Sequence, residues 1–111
     1  MSFASVDSPL YVLTAVTTVS QQITIEAAYM DMFLKPKVIV DNVGGSTPLA
    51  VYTSNAPVTA VFPTSSSTAV LCAVVPPGFC QTFDLNKTHK YVSCIRASGT
   101  ADVYVKLADG E

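Results

Sequence analysis

One histidine, eight carboxylates and three cysteines are the side chains of this sequence that could carry acid–base, nucleophilic or metal chemistry. An enzyme needs such groups gathered in space, with a base beside a nucleophile or an acid beside a base. His89 lies in the polar run Asn86–Lys90, which predicts a turn between strands and a solvated ring. No established nucleophile signature surrounds any serine or cysteine. The sequence therefore predicts no enzyme activity and no catalytic residue.

The carboxylates and thiols do not form a metal-binding pattern. The acids are spread along the chain, mostly at predicted strand ends and turns, and no calcium-loop motif is present. The cysteine count is odd and no Cys-x-x-Cys pair occurs, so neither a zinc site nor a disulfide framework is expected. Each thiol lies in an apolar stretch, where a free cysteine packs as a small hydrophobic group. We expect no metal and no cofactor, and either three free thiols at Cys72, Cys80 and Cys94 or one bridge that leaves a single thiol free.

Charge is scarce. Charged residues make up 13% of the 111 residues, against about 25% in a typical soluble domain. The net charge is −2, and six basic residues are scattered from Lys35 to Lys106, which argues against a nucleic-acid partner. The uncharged stretch Asn42–Phe83 is broken by prolines and glycines and is not a membrane helix. The first residues lack the pattern of a signal peptide, so synthesis in a cytoplasm is expected.

The elements that must position these groups are predicted to be strands. Valine, isoleucine and threonine account for 32 residues, and they favour a pleated, half-buried surface over a helix. Proline and glycine separate short apolar runs, which is typical of a sandwich or a barrel in one domain. The predicted strands are Leu10–Thr17, Val19–Glu26, Lys37–Asn42, Leu49–Thr53, Val58–Phe62, Ala69–Val75, Phe79–Leu85, Lys90–Ala97 and Thr100–Leu107.

Two segments carry more specific expectations. Ala69–Val75 is a continuous apolar run, which predicts a central strand covered on both faces. Ala27–Leu34 fits either one or two helical turns or a strand, and Pro36 ends either one. Residues 1–9 are expected to be an N-terminal arm, and residues 10–111 the β domain.

A domain with so few charges is expected to hide part of its surface against another protein. Interface cores are poor in Lys, Glu and Asp and rich in aromatic residues, and large exposed apolar patches are rare on monomers. The uncharged segment Leu49–Phe62 and the segment Met1–Leu13, whose one charged side chain is Asp7, are the candidates, the second as an arm that orders on a neighbour. The candidate interface residues are Phe3, Leu10, Tyr11, Leu49, Val51, Tyr52, Val58, Val61 and Phe62.

Three segments carry a resemblance to a known family. Val38–Gly45 reads as a strand followed by an asparagine and a small turn, Val75–Phe79 reads Val-Pro-Pro-Gly-Phe before an alternating strand, and Ser98–Val105 leads into the last strand. Together they resemble small capsid decoration (cement or staple) proteins of tailed bacteriophages. The length and the jelly-roll-like pattern are similar to the staple proteins of short-tailed phages. The resemblance covers the C-terminal two-thirds as a pattern and transfers no functional residue.

The resemblance implies a single β-sandwich, jelly-roll-like, made in the host cytoplasm and bound to the capsid exterior of the virion. It implies the major capsid protein as partner, self-association as a dimer or trimer, and stabilisation of the shell against packaged DNA. Two other functions remain open. A carbohydrate- or receptor-binding sandwich would need exposed tyrosines beside amides or acids, for example Tyr91 near Asn86. A head–tail or tail protein would share the same composition but differ in copy number.

Overall fold

The computed structural model describes the backbone of residues 2–3 and the whole of residues 8–64 and 70–110. This part of the chain is mostly strand, with one short helix, as the β-branched composition predicts. The elements are β1 (Ser2–Phe3), β2 (Leu10–Val16), β3 (Gln21–Thr24), α1 (Ala27–Met32), β4 (Pro36–Asp41), β5 (Leu49–Ser54), β6 (Ala73–Val75), β7 (Cys80–Asp84), β8 (Tyr91–Arg96) and β9 (Ala101–Gly110).

The strands form two antiparallel sheets. In the first, β4 pairs with one edge of β9 and β7 pairs with β4, while β1 and β2 follow each other along the opposite edge of β9. The second sheet has the order β3-β8-β5-β6. The all-β fold class predicted from the sequence is confirmed at this level.

The pairing is nested along the chain. β5 pairs with β6, β4 with β7, β3 with β8 and β2 with β9. The chain therefore runs out through β2 to β5 and returns through β6 to β9 as one long antiparallel ribbon. Pairing of β9 with β4 and of β8 with β5 wraps that ribbon around the core.

One hydrophobic core receives side chains from both sheets. The alternation predicted for the last strand is confirmed, because Val103, Val105 and Leu107 are buried while Asp102 and Tyr104 are exposed. The other sheet contributes its own row of inward residues to the same core. The buried cluster comprises Leu13, Val16, Ile25, Met30, Val38, Val40, Leu49, Val51, Val75, Leu85, Val92, Cys94, Val103, Val105 and Leu107.

The segment with two possible readings forms a helix. α1 is six residues long and has no side-chain cap at its N-terminus, so it depends on packing for stability. Met30 is buried, and Tyr29 and Phe33 pack against the core on either side of it. Pro36 stands at the first position of β4, where a missing N–H is tolerated.

The predicted strand Val58–Phe62 is wrong. These residues form no strand and instead cross the outer face of the second sheet. The Ala60 amide donates to Ser20 Oγ at 2.9 Å, and Ala60 packs with Ala50 and Ile95 in a second small cluster. The run is apolar because it covers a sheet face, and a segment that covers a face does not have to pair with a neighbouring strand.

The predicted central strand Ala69–Val75 is also wrong. Only Ala73–Val75 is a strand, and it lies at the edge of its sheet, paired with β5 alone among the described strands. Val74 and Leu71 are exposed, and Ala69 lies outside the described residues. A continuous apolar run does not distinguish a strand covered on both faces from one that leaves apolar side chains in solvent.

Ala15, at the β2–β9 pairing, has a φ of 51° and is the one non-glycine residue with a positive φ among the described ranges. It lies where the register of β2 against β9 shifts between Leu13 and Val16, so it marks a bulge. The Ala15 amide, lost to the ladder, donates to Asp102 Oδ1 at 2.8 Å. In the predicted arm, the backbone of Ser2–Phe3 pairs with Asp109 and Gly110, and residues 4–7 lie outside the described part.

Candidate functional site

The one histidine of the sequence is less exposed than its turn predicts. His89 is half-buried, and its Nδ1 shares a hydrogen bond of 3.0 Å with Thr53 Oγ1. A hydroxyl beside an imidazole is half of a nucleophile–base arrangement. The other half is a carboxylate that orients the ring, and no contact of the described residues brings one to His89. The Thr53–His89 hydrogen bond joins the end of β5 to the turn before β8.

Four carboxylates of the described residues have partners, which are a lysine for Asp84 and backbone amides for Asp41, Asp102 and Asp109. In the described ranges the one ion pair joins Lys37 Nζ to Asp84 Oδ1 across β4 and β7. Lys37 holds the pKa of the Asp84 carboxyl below its usual range through this hydrogen bond and its charge. Asp41 and Asp102 each accept a backbone amide, from Val43 and Ala15, and so serve turns.

The three thiols are free and lie in different environments. Cys94 is buried in the core, and burial raises its pKa to about 12. Cys72 is half-buried, whereas Cys80 is exposed on β7, contrary to the expectation that all three pack as hydrophobic groups. Burial, followed by the charge of Asp41, raises the pKa of Cys80. Within residues 8–64 and 70–110, no three His, Cys, Asp or Glu side chains are grouped to hold a metal ion.

The most connected polar group is one that the sequence analysis missed, the buried guanidinium of Arg96. Its Nε donates to Val16 O at 3.1 Å and its Nη2 to Ala101 O at 3.4 Å. Its Nη1 donates to Asn42 Oδ1 at 2.8 Å and to Thr47 O at 3.1 Å. Burial lowers the pKa of Arg96. All these acceptors are neutral, so the cation is held by hydrogen bonds.

Asn42 completes this cluster. Its Nδ2 donates to the carbonyls of Thr47, Val75 and Pro76 at 3.1 to 3.3 Å. Together Arg96 and Asn42 bind the four crossing connections at one end of the molecule, β2 to β3, β4 to β5, β6 to β7 and β8 to β9. Each side-chain nitrogen of Arg96 and Asn42 has at least one oxygen acceptor, so the cluster has the character of a structural clasp and not of a ligand site.

The segment over the second sheet is held by side chains on either side of it. Tyr52 Oη donates to Val61 O, and burial raises the pKa of Tyr52, with the neighbouring Cys72 adding to the rise. The Val58 amide donates to Gln22 Oε1 at 3.1 Å, and Ser93 Oγ donates to the same oxygen. The outer face of the second sheet is therefore largely covered by the chain itself.

The outer face of the first sheet has no such cover among the described residues. Two rows cross it in register, Val12–Tyr104–Asp41–Cys80 and Leu10–Lys106–Ile39–Thr82. Leu10, Val12 and Tyr104 are 54%, 48% and 43% exposed. We call Leu10, Val12, Ile39 and Tyr104 the apolar sheet face. Asp41 and Lys106 are the charged members of the two rows and lie beside these four residues.

A second exposed apolar region lies where β6 and β7 form neighbouring edges of the two sheets. A cavity of about 230 Å³ opens there between the sheets. Leu71, at its rim, is 90% exposed, and Val70, Val74 and Phe79 nearby are also exposed. The cavity is lined by Val38, Val51, Thr53, Leu71, Cys72, Ala73, Phe83 and Asp84.

The predicted interface residues are divided between surface and core. Leu10, Val58 and Val61 are exposed, while Tyr11, Tyr52 and Phe62 are half-buried. Leu49 and Val51 are buried in the core, so their side chains do not reach the surface of this chain. The side chain of Phe3 lies outside the described part. Exposed Val12, Tyr104 and Leu71 were missed, although the alternation of the first and last strands carried a signal for the first two.

Comparison with known proteins adds no relative: no protein-family model, curated protein or solved structure matches the chain. No helix among the described residues is long and apolar enough to cross a membrane.

Proposed function

We propose that this chain is a structural virion protein that binds the outside of a bacteriophage capsid shell, stabilises it and performs no catalysis. The partner is the major capsid protein, and the chain itself associates as a dimer or trimer. The observation that carries the proposal is the apolar sheet face, where Leu10, Val12 and Tyr104 stand exposed on paired strands. Exposed apolar groups on a sheet favour protein contact, because burying apolar surface lowers the free energy by about 25 cal/mol per Å².

The strand order supports a finer description of the fold. We propose a jelly-roll β-sandwich, an architecture of eight strands in two sheets that viral capsid domains use. The nested pairing agrees with one ribbon wrapped into two layers of four strands. The strand order is β2-β9-β4-β7 in one layer and β3-β8-β5-β6 in the other. The fold alone does not decide the function, because the same architecture also occurs in lectins.

Low charge suits such a role. Copies on a shell lie close together, and a net charge of −2 limits their mutual repulsion. A contact repeated by shell symmetry needs only modest strength per copy, because linked contacts add through multivalency. The Arg96–Asn42 clasp supplies the rigidity that lets one face be presented in a fixed geometry.

Cosedimentation with shells tests the proposal. The probe is expanded shells of the encoding phage, assembled without this protein and mixed with the purified chain. We expect saturable binding at hundreds of copies per shell and a higher disruption temperature of the shell. Val12→Asp should weaken binding, whereas Val19→Asp, at an exposed loop position off the face, should not. A chain that stays monomeric at high concentration and remains in the supernatant contradicts the proposal.

A carbohydrate-binding module is the second candidate, and one relationship favours it. Tyr104 and Asp41 are register partners on the same outer face, an aromatic ring beside a carboxylate. The pair suggested by the sequence is less suitable, because Lys90 Nζ lies 5.5 Å from the ring centre of Tyr91 and Asn86 Oδ1 accepts from Thr88. Binding on a glycan array that Tyr104→Ala abolishes would favour this candidate over shell binding. If each virion held only as many copies of this chain as form one ring, a head–tail or tail protein would be favoured instead.

A further inference from the structure

The two long sides of the molecule differ in how the gap between the sheets is closed. On the β2/β3 side, Gln21 Nε2 donates to Thr14 O at 2.8 Å and to Ala15 O at 3.3 Å, which ties one sheet to the other. The bulge at Ala15 also distorts the β2 edge there. The β6/β7 side instead holds the cavity of about 230 Å³.

The backbone of β7 offers unused hydrogen-bonding groups on this open side. The Asn42 amide donates to Phe79 O at 2.9 Å and the Leu85 amide donates to Pro36 O at 3.0 Å. These bonds set the alternation of the ladder, so Cys80, Thr82 and Asp84 point their N–H and C=O groups away from β4. Among the described strands, β7 pairs only with β4.

Among the described residues, the charge of Asp84 is the one feature of this edge that normally opposes strand addition. Proteins protect free edges with proline, lysine, bulges or very short strands. β7 is five residues long, contains neither proline nor lysine, and keeps regular register with β4 throughout. Exposed Leu71 and Phe79 stand close by and would leave water if the edge were covered.

We propose that the β7 edge is the acceptor for an extended segment of the shell protein, which adds to the first sheet as a further antiparallel or parallel strand. The inference rests on the proposed function and names the part of the partner that is recognised. The N–H and C=O groups of Thr82 and its neighbours bind the backbone of the segment. Apolar side chains at alternate positions of the segment enter the cavity beside Phe83 and Leu71.

Charge distinguishes this occupant from a second copy of the chain. Asp84 stands at one end of β7, and Asp41 lies opposite Cys80 at the other. Two antiparallel copies of β7 would place Cys80 of each against Asp84 of the other, so neither Asp84 would meet a cation across the seam. An added segment with a lysine or arginine near one end would instead bring a second cation to Asp84, which binds Lys37 and whose side chain is 88% exposed.

A pair of matched proline variants tests the proposal. Thr82→Pro removes an outward N–H from β7 and leaves the ladder to β4 intact. Thr24→Pro is the control on the free edge of β3. Its N–H also points outward, because the neighbouring Ile25 amide donates to Lys90 O at 2.7 Å. Both variants are measured for thermal midpoint and for binding to the same shells.

We expect wild type and Thr24→Pro to bind shells alike, and Thr82→Pro to bind at least about tenfold more weakly. Hydrogen exchange supplies a readout that needs no variant: the Thr82 amide should exchange readily in the free protein and become protected on the shell. If wild type binds and Thr82→Pro binds equally with an unprotected Thr82 amide, the strand addition is overturned while the proposed function stands. If wild type does not bind, the proposed function fails. If Thr82→Pro dissociates an oligomer formed without shells, the occupant is a second copy and the proposal is overturned.

Discussion

Arg96 donates from Nη1 to Oδ1 of Asn42 across 2.8 Å, and both side chains are almost completely buried. The two residues are 54 positions apart in the chain, and their hydrogen bonds reach all four connections at one end of the molecule. A buried cation normally costs several kcal/mol unless its donors are satisfied. Here four bonds to neutral oxygens satisfy it, which makes the cluster sensitive to any change in its members.

Arg96→Ala should therefore lower the free energy of unfolding by about 3–5 kcal/mol, because it leaves the carbonyls of Val16 and Ala101 and Asn42 Oδ1 without their donor. Arg96→Lys should recover only part of the loss, since an ammonium cannot reproduce the planar fork. Urea denaturation followed by circular dichroism measures both. Lys87→Ala, at an exposed turn, is the control and should stay within about 0.5 kcal/mol of wild type. An equally small effect at Arg96 would contradict the clasp.

Two adjacent glycines provide a sharper test of the same cluster. A Cβ at Gly45 would overlap Nη1 of Arg96 and Oδ1 of Asn42, whereas a Cβ at Gly44 would meet no atom within 4 Å. Gly45→Ala should cost about 1–3 kcal/mol through displacement of the Arg96–Asn42 bond. Gly44→Ala should change stability by less than about 0.5 kcal/mol. Similar midpoints in a urea titration of the two variants would show that the loop does not press against the clasp.

The covering segment over the second sheet makes its own prediction. Ala60 is buried against Ala50 and Ile95, while its neighbour Thr59 is exposed. Ala60→Leu should lower the free energy of unfolding by about 1–3 kcal/mol because the added methyl groups have no space. Thr59→Leu should be nearly neutral. Thermal unfolding of both variants checks this prediction. If both changes were neutral, the segment would lie near the sheet without packing on it.

The thiols should react in the order of their exposure. At pH 8 a thiol-specific disulfide reagent should label Cys80 first and Cys72 more slowly, since the first is exposed and the second half-buried. Cys94 should react only on unfolding, because burial raises its pKa to about 12 and leaves almost no thiolate. Cys80 should itself react more slowly than a free cysteine, since its pKa is also raised. Mass spectrometry of labelled peptides over time gives the order, and early labelling of Cys94 would contradict its place in the core.

The elements that the sequence predicted well are those whose two faces differ in environment. β9 and β4 alternate in hydropathy because one face meets the core and the other meets solvent, and both were found. Two apolar runs, Val58–Phe62 and Ala69–Val75, were mispredicted. An apolar run indicates that its side chains meet other apolar groups, but it does not determine whether the run is a strand or a loop. Which surface these runs meet depends on the path of the chain between β5 and β6.

Much of the candidate site was beyond prediction for the same reason. Arg96 follows the apolar run of β8 and Asn42 follows β4, and neither position carries a motif. Their partnership exists only because the nested strand pairing brings four strand ends together. The open β6/β7 side likewise depends on which strands become edges, and a list of strands does not determine this. The absence of charge between Asn42 and Phe83 was the usable signal: it predicted a surface covered by another protein, and this stretch leaves several apolar side chains exposed.

The clasp also has a consequence for how long a folded molecule lasts. Its bonds join residues 54 and 80 positions apart, so they require the ribbon to be wrapped before they can form. Contacts of such separation are expected to be absent from the folding transition state, and interactions that form late act mainly by slowing unfolding. The clasp would then set the lifetime of the native state more than the speed of reaching it. Under the proposed virion function, that lifetime is the relevant measure of durability, because a particle outside a cell is not repaired.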